Sequence, residues 1–250
     1  MEIQNFAQLL IFAAFIGLVG WTLSNQLGRT QIKVKSREDW LLDGTGLTIQ
    51  GILIPLLQAT LVYGLYQYLL PTQQGYLKVS LVPAFIISFV VVDYFYYWNH
   101  RLLHTKLLWK VHQVHHTVTQ MDVLGTSRNT LWTSLLIIYL WIHTLFVYLL
   151  ADPRGYLLGV SLTSALDLWR HSRLIIPANT RLYQLLSTWL ILPQDHAWHH
   201  CREIHNYNYG ANLKIWDKLH GTYYESEKLP SIIGISSSLN LFQKLLFPFS

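Results

Sequence analysis

Residues 100–116 read HRLLHTKLLWKVHQVHH, with histidine at His100, His104, His112, His115 and His116. Side chains at i and i+4 share one face of a helix. His100 and His104 therefore form one pair, and His112, His115 and His116 form an i, i+3, i+4 set. His196, His199 and His200 repeat the H-x-x-H-H pattern about eighty residues later, and His171 lies between the two clusters. Neutral imidazole is a good ligand for iron, zinc, copper or nickel. Eight or nine imidazoles are more than one tetrahedral or octahedral ion can use, so two metal sites follow more naturally than one.

The surroundings of these clusters are apolar. Of 250 residues, 52% are hydrophobic and 12% charged, against about 25% charged in an average soluble domain. The net charge of +5 comes from basic residues scattered through loops. That distribution suits membrane topology and anionic-lipid contact and speaks against nucleic-acid binding. The single cysteine, Cys201, excludes an intramolecular disulfide and a multi-cysteine metal site.

The expected fold is all-α: a multi-pass transmembrane bundle of about five spans, capped by a cytosolic, histidine-rich metal site. A bilayer core of about 30 Å needs about 20 residues of helix. Residues 6–23, 46–70, 79–98 and 131–150 meet that length, and the shorter 156–169 returns across the same thickness. Met1–Asn5 has no basic residue, so 6–23 reads as a span rather than a signal peptide. Arg29, Lys33, Lys35 and Arg37 put the 25–44 loop in the cytoplasm. All nine motif histidines then fall on that side. Residues 181–192 read as an amphipathic helix against the membrane, and 238–248 as a weaker interfacial segment. The division is 1–78 as N-terminal helices with a cytoplasmic loop, 79–225 as the metal core, and 226–250 as an interfacial tail.

The segments DYFYYWNHRLLH, KVHQVHH, WRHSRL and DHAWHHCREIHNYNYGANLKIWDKLHGTY resemble the sterol desaturase and fatty acid hydroxylase superfamily. HQVHH and NYG…IWD…GTY are closest in wording to its alkylglycerol monooxygenase branch. The resemblance covers roughly 80–225. It implies a membrane-bound di-iron oxygenase that hydroxylates or desaturates a fatty acyl, sterol or ether lipid, using O2. By motif match the metal ligands would be His100, His104, His112, His115, His116, His171, His196, His199 and His200. His171 rests on the resemblance and on its place at the end of a returning span. Zinc would be able to replace the two irons on purification. Turnover needs two external electrons, and no flavin, haem or iron–sulfur motif is apparent. A separate donor is implied: a cytochrome b5-like protein, a ferredoxin or a reductase. A bacterial inner membrane and the endoplasmic reticulum both suit the composition.

Four further polar residues are candidates for supporting the ligands. Asp93 lies within a span, where a carboxylate costs about 2.5–3.5 kcal/mol and needs a partner. A ligand histidine's N–H is the expected partner, with a loop arginine as the alternative. Asp195, Asn208 and Asp217 suit either a supporting role or a cap or turn. His143 lies about 18 Å into its span, too deep to join the clusters. His205 reads as a loop residue, His220 as structural, and Cys201 points away from the face of His200.

Two other classes compete with the oxygenase. A zinc-dependent membrane hydrolase or isomerase would use about three protein ligands and a general base, fewer histidines than are present. A non-enzymatic metal-binding or transport protein would place ligands along a mid-membrane path, where only His143 lies.

Overall fold

The computed structural model describes residues 2–203, 206–226, 228–246 and 248, and shows an all-helical chain with no strand among them. Three helices are long and apolar enough to cross a membrane: α3 (Arg37–Leu69), α4 (Leu81–Leu103) and a broken helix, Leu131–Leu149. A fourth crossing is available if α1 (Glu2–Ser24) and α2 (Gln26–Lys33), which meet at 97°, count as one bent span. The chain is a membrane protein on this architecture. Its span helices turn Ile52, Leu56, Leu61 and Val82 outward, each more than half exposed.

Helix α3 starts before the expected residue 46, because Ser36 caps it. The Ser36 hydroxyl accepts from Asp39 N at 3.1 Å, and Asp39 accepts from Ser36 N at 3.0 Å, a reciprocal capping box. At 33 residues α3 is about 50 Å long, so its first turns extend beyond an apolar layer. Those turns carry Asp39 and Asp43 into a buried ion cluster. Arg128 donates through Nε to Asp43 at 2.6 Å and through Nη1 to Asp39 at 2.8 Å. Lys35 pairs with Asp43 and, at 2.8 Å, with Asp122. Gly46 permits this approach: a Cβ there would collide with Ser127 O.

The Leu131–Leu149 helix breaks into α6 (Leu131–Leu136) and α7 (Tyr139–Leu149), with α5 (Trp109–His112) preceding them. A break in an apolar layer must have its freed backbone groups satisfied. Asn99 of α4 does this, donating to Leu136 O at 3.1 Å and accepting from Ile138 N at 3.2 Å. Gln58 of α3 donates to Tyr139 O at 3.2 Å.

The expected short span at 156–169 is the 17-residue helix α8 (Arg154–Arg170), about 26 Å long. It packs along α1 and α4, and Gly159 allows its close contact with Ser88. Ala84, Val92, Leu150 and Tyr156 form a buried apolar cluster. The remaining helices are α9 (Arg181–Trp189), α10 (Pro193–His199), α11 (Ile215–Leu219) and α12 (Leu241–Leu245). No residue of α9 is buried, and Leu182, Leu185 and Trp189 make one exposed apolar face. An amphipathic helix fits the expectation for that segment.

Candidate metal centre

The nine motif histidines converge in two groups. His100, His104, His112, His116 and His199 form the first; His115, His171, His196 and His200 form the second. Within each group one ring nitrogen per histidine lies within 4.8 Å of all the others. The two H-x-x-H-H motifs exchange members. His112 and His116 sit in the first group and send His115 to the second; His196 and His200 sit in the second and send His199 to the first. Along Pro193–His199, i+3 and i+4 flank residue i on opposite sides, about −60° and +40° around the axis, so His200 stays with His196 while His199 turns to the first group. In the 112–116 stretch the helix ends at His112 and a 3₁₀ turn carries His115–Thr117.

Nitrogen spacing fits a metal. Two ligands about 2.1 Å from one ion are about 3.0 Å apart at a right angle and about 3.4 Å apart at the tetrahedral angle. Nε2–Nε2 separations are 3.2 Å for His100–His112 and for His104–His116. In the second group they are 3.4 Å for His115–His171, 3.0 Å for His171–His196 and 3.2 Å for His196–His200.

The opposite ring nitrogens decide which atoms face inward. Nδ1 of His100 donates to Tyr209 O at 2.8 Å and Nδ1 of His199 to Tyr207 O at 2.8 Å. Nδ1 of His115 donates to Arg128 O at 3.2 Å and Nδ1 of His171 to Asp167 O at 2.9 Å. A carbonyl only accepts, so these four rings carry their proton on Nδ1 and present an Nε2 lone pair. His199 Nε2 is buried with no hydrogen-bond partner. A buried polar atom without a partner calls for an explanation, and a bound cation supplies one.

The rings are also neutral. Burial, and then the neighbouring histidines, hold His104, His112, His116, His196, His199 and His200 well below the usual histidine range. Burial pushes His115 down to about 3. Neutral imidazole is the form that binds metal.

The four supporting candidates sit elsewhere than directly on the ligands. Asp93 accepts from Asn212 N at 2.8 Å, Leu213 N at 3.0 Å and Trp216 Nε1 at 2.8 Å. That replaces the expected histidine partner: Asp93 ties the 212–216 segment to α4. Asp217 accepts from Tyr209 N at 2.8 Å, Gly210 N at 2.7 Å and the Thr222 hydroxyl at 2.7 Å. Burial pushes its carboxyl up to about 6. Asn208 stands at φ 56, a left-handed conformation that asparagine tolerates. Its amide donates to Asp195 O at 2.8 Å and Tyr224 O at 3.0 Å and accepts from Tyr224 N at 2.9 Å. Asn208 and Asp217 thus fix the turn whose carbonyls, at Tyr207 and Tyr209, hold His199 and His100. Asp195 caps α10, accepting from Leu192 N at 2.9 Å, and pairs with Lys214 at 3.2 Å.

The carbonyls of Tyr207, Tyr209, Arg128 and Asp167 are the functional groups that residue type alone does not reveal. His143 stays apart, with Nδ1 2.9 Å from the Tyr156 hydroxyl and its ring stacked on Tyr139. His220 is likewise separate, stacked on Tyr94 and Tyr97. Cys201 is buried outside both groups, and His205 lies outside the described residues.

A fatty acid hydroxylase family model matches residues 85–222, a range holding all nine histidines. Ornithine lipid hydroxylase OlsE of Rhizobium tropici is 32% identical over 180 residues, covering 66% of this chain and 50% of that protein. Human alkylglycerol monooxygenase is 30% identical over 166 residues, covering 65% of this chain and 35% of that protein. Fatty acid hydroxylase vlmA of a Lecanicillium species is 28% identical over 145 residues, covering 53% and 40%. The chain thus spans half or less of the length of these curated relatives. No solved structure matches.

Proposed function

Since this chain belongs to the fatty acid hydroxylase family, we propose that it is a membrane-bound di-iron oxygenase that hydroxylates a lipid with O2 and external electrons. The nine grouped histidines are its metal ligands, five for one ion and four for the other. The observation that carries this reading is the exchange of His115 and His199 between the two groups. It ties the sites into one unit, as a reaction shared by two ions needs.

Iron bound there supplies O2 reduction and the removal of hydrogen from an unactivated C–H bond. The chain's own residues do the rest. Carbonyls of Tyr207, Tyr209, Arg128 and Asp167 fix tautomer and ring angle. Burial keeps water out and the imidazoles neutral. Hydroxylation is favoured over desaturation because the relatives are named as hydroxylases and monooxygenases. The electron donor is a separate protein in this account. In this account α1 and α8 are the fourth and fifth crossings, and Arg101, Lys106 and Lys110 beside the first cluster support a cytoplasmic centre.

Oxygen-18 labelling tests the reaction. Purified protein with a lipid extract, a reductant and labelled O2 is expected to place one labelled oxygen in a lipid product, and His115→Ala to abolish it. Label entering from water instead would indicate hydrolytic chemistry.

A further inference from the structure

The elbow between α1 and α2 borders a partly open cavity of about 270 Å³ that the metal chemistry does not use. The elbow is rigidly built. Asn25 accepts from Gly28 N at 2.7 Å and donates to Trp21 O at 2.8 Å. Gly28 packs so tightly on Thr22 O that any Cβ would collide. Here the chain passes from the apolar α1 to a helix bearing Arg29 and Lys33, so the elbow marks the edge of the apolar layer.

Its lining is of two kinds: Trp21, Leu27, Met121 and Ile175 are apolar, and Gln31 and Arg173 are polar. Gln31 is only 6% exposed. No hydrogen bond to its amide is found among the described residues. Arg173 is exposed, and its guanidinium has no ion pair or hydrogen bond among the described residues. A guanidinium and an amide donor lining one cavity suit an oxyanion such as a phosphate or carboxylate.

We propose that this cavity binds one amphiphile with an anionic headgroup, its oxyanion on Arg173 and Gln31 and the start of its chain against Trp21, Leu27, Met121 and Ile175. Arg173 follows His171 by two residues, so the headgroup is held at the end of the helix that delivers a member of the second histidine group. The proposal rests on the membrane placement alone and needs neither metal nor turnover. It therefore stands or falls separately from the oxygenase reading.

The test uses the full chain in phosphatidylcholine nanodiscs. Phosphatidylglycerol with brominated chains is titrated in, and Trp21 quenching is read as the difference between wild type and Trp21→Phe. Saturable quenching by the brominated phosphatidylglycerol, and little by brominated phosphatidylcholine, is expected. Arg173→Gln should weaken it about fivefold, the factor for about 1 kcal/mol per basic side chain near an anionic lipid. Arg173→Lys should stay near wild type, and Gln31→Leu should weaken binding. Equal quenching by both lipids, or an unchanged Arg173→Gln, would overturn the proposal. Displacement by inorganic phosphate in millimolar excess would also overturn it, because the site would then bind a free anion rather than an amphiphile.

Discussion

His115 and His171 face each other Nε2 to Nε2 at 3.4 Å, and each has its Nδ1 on a backbone carbonyl. Both protons are committed to Arg128 O and Asp167 O, so two lone pairs point at one another. Protonating a ring would relieve the conflict, but burial holds both rings below the usual histidine range. A shared cation relieves it without a proton. The second group is thus arranged for a metal even though it contains no carboxylate.

Exchange of the motif members sets the first prediction. His115→Ala should empty the second site and leave the first filled, and His199→Ala should do the reverse. Each variant is expected to insert normally and to hold about half the wild-type metal. Iron titration followed spectroscopically reads this, and full metal content in either variant would refute the assignment of that histidine.

The 207–210 turn gives a second. Asp217 accepts both Tyr209 N and Gly210 N, and an amide in its place would turn an NH2 toward one of those donors. Asp217→Asn should therefore loosen the carbonyls that hold His100 and His199. Loss of such supporting contacts typically costs 10–100-fold in metal affinity. The loss should fall on the first site and spare the second; equal weakening of both would show a general folding defect.

Acid should destabilise the metal-free protein. The eight grouped histidines outside the span helices have folded-state pKa values below the unfolded value of about 6.5. The unfolded chain takes up more protons between those values, so their stabilisation is complete above about pH 6.5 and is lost as pH falls below it. Asp217, raised to about 6, acts in the opposite sense, as does Asp195, raised by burial. Each group is limited to about 1.4 kcal/mol per pH unit, so eight imidazoles outweigh two carboxylates. The melting temperature of chelator-treated protein should drop between pH 7 and pH 5. A flat or rising profile would mean that the imidazoles are not held neutral.

His143 supplies a control. Its hydrogen bond to Tyr156 and its stack on Tyr139 are structural. His143→Ala should keep both metals and cost about 1–3 kcal/mol for the hydroxyl left unpaired. Loss of one metal would place His143 in the centre after all.

Much of this was legible because the ligands are a rare residue type at helical spacing. H-x-x-H-H marks itself, and the separateness of His143 followed from its depth in an apolar run. The partition into groups of five and four was not legible, since it depends on how two distant helices meet. Asp93 shows the limit of reading one side chain: a partner was required, but the 212–216 segment that satisfies it lies about 120 positions away. The groups that pin His100, His115, His171 and His199 are carbonyls, which every residue has. Asn208 is the visible trace of one such pin, an asparagine where the backbone enters the left-handed region. The apolar run gives the span at 46–70, while the capping box of Ser36 and Asp39 starts the helix nine residues earlier, at Arg37.

Metal content tests the central claim most directly. Protein grown with iron, without added zinc, and purified in mild detergent should carry about two irons per chain, with zinc at either site exchangeable for iron. One tightly held zinc that persists through iron reconstitution, with no iron bound, would contradict the account.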